Sequence, residues 1–303
     1  MSTKAKAPTL GLVAPSGALP EGMVDRAAQF FAARGWRVQA GESCFARDTR
    51  FAGPDELRLH DLQRFATDRR IDVVLSARGG YGLSRLLDAI DFEAIRRAER
   101  LIVGISDFTA FSLAYLARAD GISFQGPSAG DFAAAEPDLF TVEQFFATLT
   151  CSEHRVEFAG DGPDCDVSGR LWGGNLALVT ALVGTPYLPR LRGGILFLED
   201  VNEPAYRIER MLHQLLHAGV FSRLRAVVLG DFSPVPVQPA DHGYDLAAAI
   251  AQLRARVEVP VLTGLPFGHV PRKLTLPVGA RARLRARAGR IELSFSGHPT
   301  LRG

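Results

Sequence analysis

A serine at a predicted strand-to-helix turn is the first residue whose type and position could support catalysis. Ser106 and Asp107 follow an apolar run over residues 101–105, and an apolar-faced helix is predicted over residues 108–118. Ligands of open parallel sheets bind beyond the carboxyl ends of the strands, where a serine oxygen can face a cleft and a helix N-terminus can stabilise an oxyanion. The segment lacks the second glycine of a GxSxG elbow. Serine is also a preferred helix N-cap, so a capping role stays open.

A glycine-rich loop follows another predicted strand, residues 71–76. Gly79, Gly80 and Gly82 surround Tyr81, and this composition lets a ligand approach backbone N–H groups closely. The loop lacks the Lys-Ser/Thr of a phosphate-binding P-loop and matches the dinucleotide GxGxxG pattern poorly. It therefore indicates either an oxyanion-binding loop or a turn that only needs positive φ.

A nucleophilic serine needs a base, and the base needs an orienting acid. His269 lies in a Gly- and Pro-rich loop after a predicted strand over residues 261–265, and Glu199 ends a predicted strand over residues 194–199. Both residues are thus placed at strand exits. Three nearby acids compete with Glu199 for the orienting role: Asp200, Glu203 and Glu209.

The charge balance and composition exclude several function classes. The 303-residue chain has 35 Lys plus Arg against 33 Asp plus Glu, a net charge of +2, which gives no bulk argument for nucleic-acid or membrane binding. The longest nearly apolar stretch, residues 176–188, is shorter than the roughly 18 residues of a membrane span. The N-terminus also lacks the apolar core of a signal peptide. We therefore expect a soluble cytoplasmic protein.

Cysteine and histidine usage argues against a metal or disulfide framework. The three cysteines form no CxxC pair, and none of the seven histidines lies in an HExxH arrangement. His213 and His217 are four residues apart on a predicted helix, where packing or exposure is commoner than a metal pair. We expect neither a metal nor an organic cofactor.

Strand and helix signals alternate through the first half of the chain, which is typical of a parallel sheet in an α/β fold. The second half is mixed, with antiparallel strands predicted at residues 274–276 and 280–295. We predict an N-terminal α/β domain over residues 1–150 that carries the nucleophile. A linker over residues 151–165 and a smaller, mixed β-rich α/β domain over residues 166–303 are predicted to follow.

Four arginines alternate with alanine and leucine near the C-terminus: Arg281, Arg283, Arg285 and Arg287. A period of two places their side chains on one face of a strand. An anion-binding surface is one interpretation, but an exposed charged face is the commoner use of such a pattern.

Several blocks together resemble a known family. They are GLVAPSG at 11–17, ARGGYGLSRLL at 77–87, VGISDFTAF at 103–111, GRLWGGNLALV at 169–179, LFLEDVNEPAYRIERML at 196–212 and GHVPRKLTLPVGARARL at 268–284. Their content and order are similar to those of the LD-carboxypeptidases, the muramoyltetrapeptide carboxypeptidases of serine peptidase family 66. The blocks cover nearly the whole chain.

The resemblance implies a Ser-Glu-His triad. Ser106 would be the nucleophile, His269 the general base and Glu199 the acid that orients the base. The backbone N–H groups of Gly80 and Asp107 would form the oxyanion hole. The resemblance also implies an active site between the two domains, typically in a homodimer. Tyr81, Trp172 and Asn175 are predicted to bind substrate, although a turn and helix-cap role for the Gly-Gly-Asn segment stays open.

The implied activity is release of the terminal D-alanine from the murein tetrapeptide L-Ala-D-Glu-meso-diaminopimelate-D-Ala, free or within a muropeptide, during cell-wall recycling. Neither a nucleic-acid nor a membrane partner is expected. One alternative is a microcin-immunity peptidase, which would use the same triad to cleave aminoacyl-nucleotide conjugates. Another is a non-catalytic ligand-binding α/β protein in which Ser106 only caps a helix.

Overall fold

A computed structural model describes residues 7–301 of the chain. The strands are β1 (Thr9–Val13), β2 (Arg37–Ala40), β3 (Val73–Ser76), β4 (Leu101–Gly104), β5 (Ser123–Gln125), β6 (Glu153–Ala159), β7 (Cys165–Asn175), β8 (Gly194–Asp200), β9 (Leu224–Phe232), β10 (Val261–Leu262), β11 (Leu276–Val278), β12 (Arg281–Arg287) and β13 (Arg290–Ser296). The α-helices are α1 (Met23–Ala32), α2 (Asp55–Thr67), α3 (Phe92–Ala98), α4 (Thr109–Ala119), α5 (Ala129–Phe132), α6 (Leu139–Thr150), α7 (Leu176–Ala181), α8 (Ala205–His217) and α9 (Leu246–Arg254).

The first sheet has six strands in the order β11-β5-β4-β3-β1-β2. Strands β1 to β5 run parallel, and β11 joins β5 antiparallel at one edge. The apolar strands β1, β3 and β4 are buried along their whole length, as expected for a parallel sheet covered on both faces. Phe31 of α1 and Phe145 of α6 belong to the core on one face, and Phe65 of α2 and Phe111 of α4 to the core on the other.

The second sheet has seven strands in the order β10-β9-β8-β7-β12-β13-β6. Strand β7 changes the sheet from parallel to antiparallel: its last residues pair parallel with β8, whereas its first residues pair antiparallel with β12. Strand β8 is buried throughout and therefore fixes the residues at its carboxyl end. One continuous hydrophobic core contains Phe111 from the first half and Trp172 and Phe197 from the second.

The predicted fold class is confirmed, since a parallel-rich sheet and a second, mixed sheet are both present. Two details differ from the sequence-based interpretation. The predicted linker, residues 151–165, contains β6, which pairs with β13 at the edge of the second sheet. Its alternating charged residues are typical of an exposed edge strand, which has nearly the composition of a loop. Strand β11 also lies in the first sheet although it belongs to the C-terminal half. The predicted domain boundaries stay a prediction.

The arginine-rich strand β12 has the predicted exposed face. Its four arginines are exposed and alternate with buried alanine and leucine side chains. Arg283 and Arg285 approach Asp166 of β7 at 2.7 and 3.4 Å. Neighbouring acids thus partly neutralise this face.

Within residues 7–301, none of the helices has both the length and the apolar character required to cross a bilayer.

Candidate active site

A cleft of about 720 Å³ lies between loops that follow strands of both sheets. Gly79, Gly80 and Ser106 line it from the first sheet, and His269 lines it from the second. The structure therefore brings together the serine, the histidine and the glycine-rich loop that sequence alone placed at separate strand exits.

Ser106 occupies a sharp turn between β4 and α4. It begins a short 3-10 helix, Ser106–Phe108, and its φ of 67° lies in the left-handed region that non-glycine residues rarely adopt. Its side chain caps no helix, and its hydroxyl has no hydrogen-bond partner among residues 7–301. Such strain is typical of a nucleophile elbow, in which a tight turn exposes the serine oxygen. The structure thus favours the nucleophile over the capping role.

The glycine-rich loop packs directly against this serine. A Cβ added at Gly79 would lie 2.7 Å from the Ser106 Oγ, so any larger residue there would displace the hydroxyl. Gly80 has a φ of 109°, which strongly favours glycine. The backbone N–H groups of Gly80 and Asp107 have no acceptor within residues 7–301. Both donors are therefore available to a ligand.

The buried carboxylate of Asp107 connects three strand-exit loops. It accepts hydrogen bonds from the Ser16 hydroxyl at 2.6 Å and from the Leu83 N–H at 2.9 Å. Ser16 follows β1, Leu83 follows the glycine-rich loop, and Asp107 itself follows β4. Burial raises the pKa of Asp107, and these hydrogen bonds offset part of that effect. Sequence reasoning assigned only the backbone N–H of Asp107, because no local pattern indicates that its side chain reaches the other loops.

His269 is held by Glu199. The Nδ1 atom of His269 lies 2.6 Å from the Oε2 atom of Glu199, and Glu199 is 0% exposed at the end of β8. The Nδ2 group of Asn175 donates to Glu199 at 3.3 Å and to Asp200 at 2.8 Å. The acid is therefore fixed by its strand on one side and by an amide on the other.

The Glu199 carboxylate changes the titration of His269. Burial by itself lowers the pKa of His269, but the hydrogen bond and the negative charge of Glu199 outweigh burial. The net result is a raised pKa of His269. This direction is expected for an imidazole whose charged form is stabilised by a carboxylate.

The competing acids have other partners. Glu203 lies just before α8 and forms an ion pair at 2.6 Å with Arg207 of that helix. Glu209 accepts a hydrogen bond from Tyr244. Asp200 accepts hydrogen bonds from Asn175 and from the Ala177 N–H, so it fixes the start of α7. Of the four acids considered, Glu199 is the one that contacts His269.

The chain after His269 is tied to α6 of the first half. The Thr141 hydroxyl donates to the Pro271 carbonyl at 2.6 Å and accepts from the Lys273 N–H at 2.8 Å. The Thr148 hydroxyl donates to the Thr275 carbonyl at 3.1 Å. These contacts hold the His269 loop against the first sheet, and nothing in the sequence around the two threonines indicates them.

The three predicted substrate-binding side chains lie outside the cleft lining. Tyr81 is 45% exposed and lies beside Phe51 and Arg50. Trp172 is 2% exposed, and Asn175 is buried and caps α7 through a hydrogen bond from the Leu178 N–H. Burial favours supporting roles for Trp172 and Asn175, and substrate contact by any of the three stays a prediction.

The described residues contain no group of three or more His, Cys, Asp or Glu side chains arranged to hold a metal. His213 and His217 face each other with ring centroids 6.0 Å apart, and His213 lies 3.9 Å from Glu209. The cysteines are free, and burial raises the pKa of Cys44 to about 12, which keeps it protonated.

Comparison with known proteins assigns this arrangement to a family. The LD-carboxypeptidase N-terminal domain matches residues 10–126, and the LD-carboxypeptidase C-terminal domain matches residues 168–284. A murein tetrapeptide carboxypeptidase of Pseudomonas aeruginosa is 31% identical, with 91% of this chain and 92% of that protein covered.

Solved structures agree with this assignment. A muramoyltetrapeptide carboxypeptidase from Oxalobacter formigenes has a TM-score of 0.92 at 41% identity and covers 96% of this chain and 100% of its own. The microcin self-immunity protein MccF, solved with aspartyl sulfamoyl adenosine, has a TM-score of 0.89 at 23% identity over 98% of both chains and shares the fold. The family matches and the 31% identity over nearly full length establish that this chain is a serine-type carboxypeptidase that belongs to the LD-carboxypeptidase family.

Proposed function

We propose that the protein releases the terminal D-alanine from murein tetrapeptides, with Ser106 as nucleophile, His269 as general base and Glu199 as the acid that orients it. The observation that carries this proposal is the His269–Glu199 hydrogen bond of 2.6 Å. His269 lines the same cleft as Ser106, whose backbone is strained. The names of the Pseudomonas and Oxalobacter relatives support the tetrapeptide as substrate.

In the proposed reaction, His269 accepts the Ser106 proton while the serine oxygen attacks the carbonyl carbon before the D-alanine. The N–H groups of Gly80 and Asp107 stabilise the oxyanion that develops. His269 then gives its proton to the leaving amine, and the carbon–nitrogen bond breaks to release D-alanine. Water, deprotonated by His269, hydrolyses the acyl-serine ester and restores the enzyme.

Glu199 acts on the histidine rather than on the substrate. Its bond to Nδ1 keeps the proton on that nitrogen, which leaves Nε2 as the acceptor. Its charge stabilises the imidazolium that forms during attack. Full burial of Glu199 at a strand end keeps this orientation fixed.

The experiment that tests the activity is mass-spectrometric product analysis with purified protein. The tetrapeptide should lose one D-alanine, and a Ser106→Ala variant of equal secondary structure should release none above background. An aminoacyl-sulfamoyl nucleotide serves as the competing substrate. Preference for that conjugate would support a microcin-immunity activity instead, and turnover of neither compound would support a non-catalytic binding protein.

The proposal also includes the compartment and the assembly. A cytoplasmic location is supported by cysteines that are all unpaired, as is usual under reducing conditions. The homodimer is supported only by the family resemblance. Light scattering of the purified protein would decide between monomer and dimer.

The pH dependence of activity should follow His269. We expect kcat/KM to fall as the pH drops through the raised pKa of His269, because only the neutral imidazole can accept the serine proton. NMR titration of the His269 ring should give a midpoint above its ordinary value of 6.5. Glu199→Gln removes the two contributions of Glu199 that raise the pKa of His269, whereas burial still lowers it, so the midpoint should fall. A midpoint that Glu199→Gln leaves unchanged would contradict this account.

A further inference from the structure

The charged and titratable side chains that line the cleft differ in whether they already form an ion pair or hydrogen bond with another side chain. Six such residues line it: Arg78, Asp131, Glu136, Asp138, His269 and Lys273. A peptide that ends in a D-amino acid brings a carboxylate into the cleft, so the positive groups are the ones to compare.

Lys273 is already paired with a carboxylate of the cleft. It is 4% exposed, and its Nζ lies 2.5 Å from Asp131. Its backbone N–H is also bound to Thr141, so the whole residue is fixed in the wall of the cleft. His269 is engaged by Glu199 and must be neutral to act as a base. Neither group is available as a permanent positive charge for substrate.

Arg78 is different. It is exposed in the cleft, and its Nη1 donates to the Ala18 carbonyl at 2.7 Å. No carboxylate within residues 7–301 lies within ion-pair distance of it. A guanidinium has five N–H donors in a planar fork, so this one contact positions the group and leaves other donors free. A guanidinium held by a neutral carbonyl keeps its full charge for a ligand.

Arg78 is also next in sequence to the residues around the proposed nucleophile and lines the same cleft as Ser106. It directly precedes Gly79, which packs against the Ser106 hydroxyl, and Gly80, the proposed oxyanion donor. In the substrate, the carboxylate of the leaving residue is only a few bonds from the carbonyl carbon that Ser106 attacks. A group that binds this carboxylate must therefore lie within one side chain of the nucleophile.

From this arrangement we propose that Arg78 binds the terminal carboxylate of the leaving D-amino acid and so restricts the enzyme to the chain end. This inference rests on the proposed carboxypeptidase function and names the side chain that makes it an exopeptidase. Arginine suits the role because its planar fork can pair with both carboxylate oxygens, which adds geometric selectivity to charge.

The test compares two substrates that differ only at this carboxylate: the tetrapeptide ending in free D-alanine, and the same peptide ending in D-alaninamide. Wild-type protein should strongly prefer the free acid. Arg78→Gln should lower kcat/KM on the acid by roughly 10- to 100-fold, the loss expected for one charged hydrogen-bonded partner. Activity on the amide should stay within about twofold, so that the preference collapses. Arg78→Lys should restore part of the preference, because charge returns without the fork.

Arg50→Gln is the matched control. Arg50 is a second exposed arginine beside the glycine-rich loop, stacked on Tyr81 and outside the cleft lining. This variant should keep the wild-type preference for the acid.

Three outcomes would overturn the inference while leaving the proposed function intact. An equal loss on both substrates in Arg78→Gln would mean that Arg78 only shapes the loop. Collapse of the preference in Arg50→Gln alone would assign the carboxylate to the other arginine. An unchanged preference in Arg78→Gln would exclude carboxylate binding by this residue. Absence of turnover on both peptides by wild-type protein would instead refute the proposed function itself, and this inference with it.

Discussion

Ser106→Ala and His269→Ala should each lower kcat on the order of 10⁶-fold. This is the loss seen when the serine or the histidine of another triad is removed. The reason is that neither group works alone: the serine is not nucleophilic without a base, and the base has nothing to activate without the serine. The double variant should therefore be little worse than either single one. Pre-steady-state and steady-state assays on the tetrapeptide would measure all three.

The fold should survive Ser106→Ala, whereas His269→Ala should lower stability because it removes a partner of the fully buried Glu199 carboxylate. The Ser106 hydroxyl makes no hydrogen bond within residues 7–301, so alanine in its place leaves no partner group unpaired and keeps the same backbone turn. Circular dichroism and melting temperature provide the control. Turnover of Ser106→Ala close to that of wild type would reject the assigned nucleophile.

Glu199→Gln should lower kcat by roughly 10³–10⁴-fold, as for the acid of other triads. Glutamine keeps the shape of the side chain, but it has no charge to stabilise the imidazolium, and its amide can donate to Nδ1 and so favour the wrong tautomer. In the wild-type protein the Asn175 Nδ2 group donates to the Glu199 carboxylate. In the variant, the glutamine amide offers one acceptor oxygen in place of the two of the carboxylate.

Glu203→Gln is the matched control for this change. Glu203 forms an ion pair with Arg207, four residues along the chain, and has no contact with His269 within residues 7–301. Its loss should cost stability of about 0.3–1 kcal/mol with little change in kcat. Measurement of kcat and melting temperature for both variants decides the assignment. An inactive Glu203→Gln with an active Glu199→Gln would show that the wrong acid was chosen.

The elements that the sequence predicts well are those with a local physical signal. The apolar run before Ser106 becomes β4, and the run that ends at Glu199 becomes β8, because strands buried on both faces need no polar alternation. The apolar face of α8, with Ile208 and Leu212 buried, follows its helical period.

The features that the sequence does not predict, the strand β6 and the sheet to which β11 belongs, depend on distant partners. Strand β6 is polar and turn-flanked, and it becomes a strand only because β13 offers an open edge. Strand β11 is three residues long, and its place in the first sheet depends on pairing with Gln125 and its neighbours, about 150 residues earlier. Neither partner can be identified from local composition.

The site divides in the same way. Strand exits select Ser106, Glu199 and His269 as candidates, and their geometry is a consequence of where parallel strands end. The supporting contacts are different, because the Asp107 carboxylate reaches Ser16 and Leu83 across long stretches of chain. Trp172 and Asn175 are predicted to bind substrate from their sequence block, but both side chains are buried.

The path of the chain around His269 ties the proposed general base to both sheets. The segment leaves β10 in the second sheet, passes His269, and ends in β11 at the edge of the first sheet, where Leu276 pairs with Gln125. The segment that carries His269, the proposed base, is therefore attached at both ends, each to a different sheet. A hinge motion that parted the sheets would have to strip β11 from β5 and the threonine contacts from α6. We therefore expect substrates to reach the proposed triad through an open cleft without any parting of the two sheets, and heat or denaturant should abolish activity and tertiary structure in the same transition.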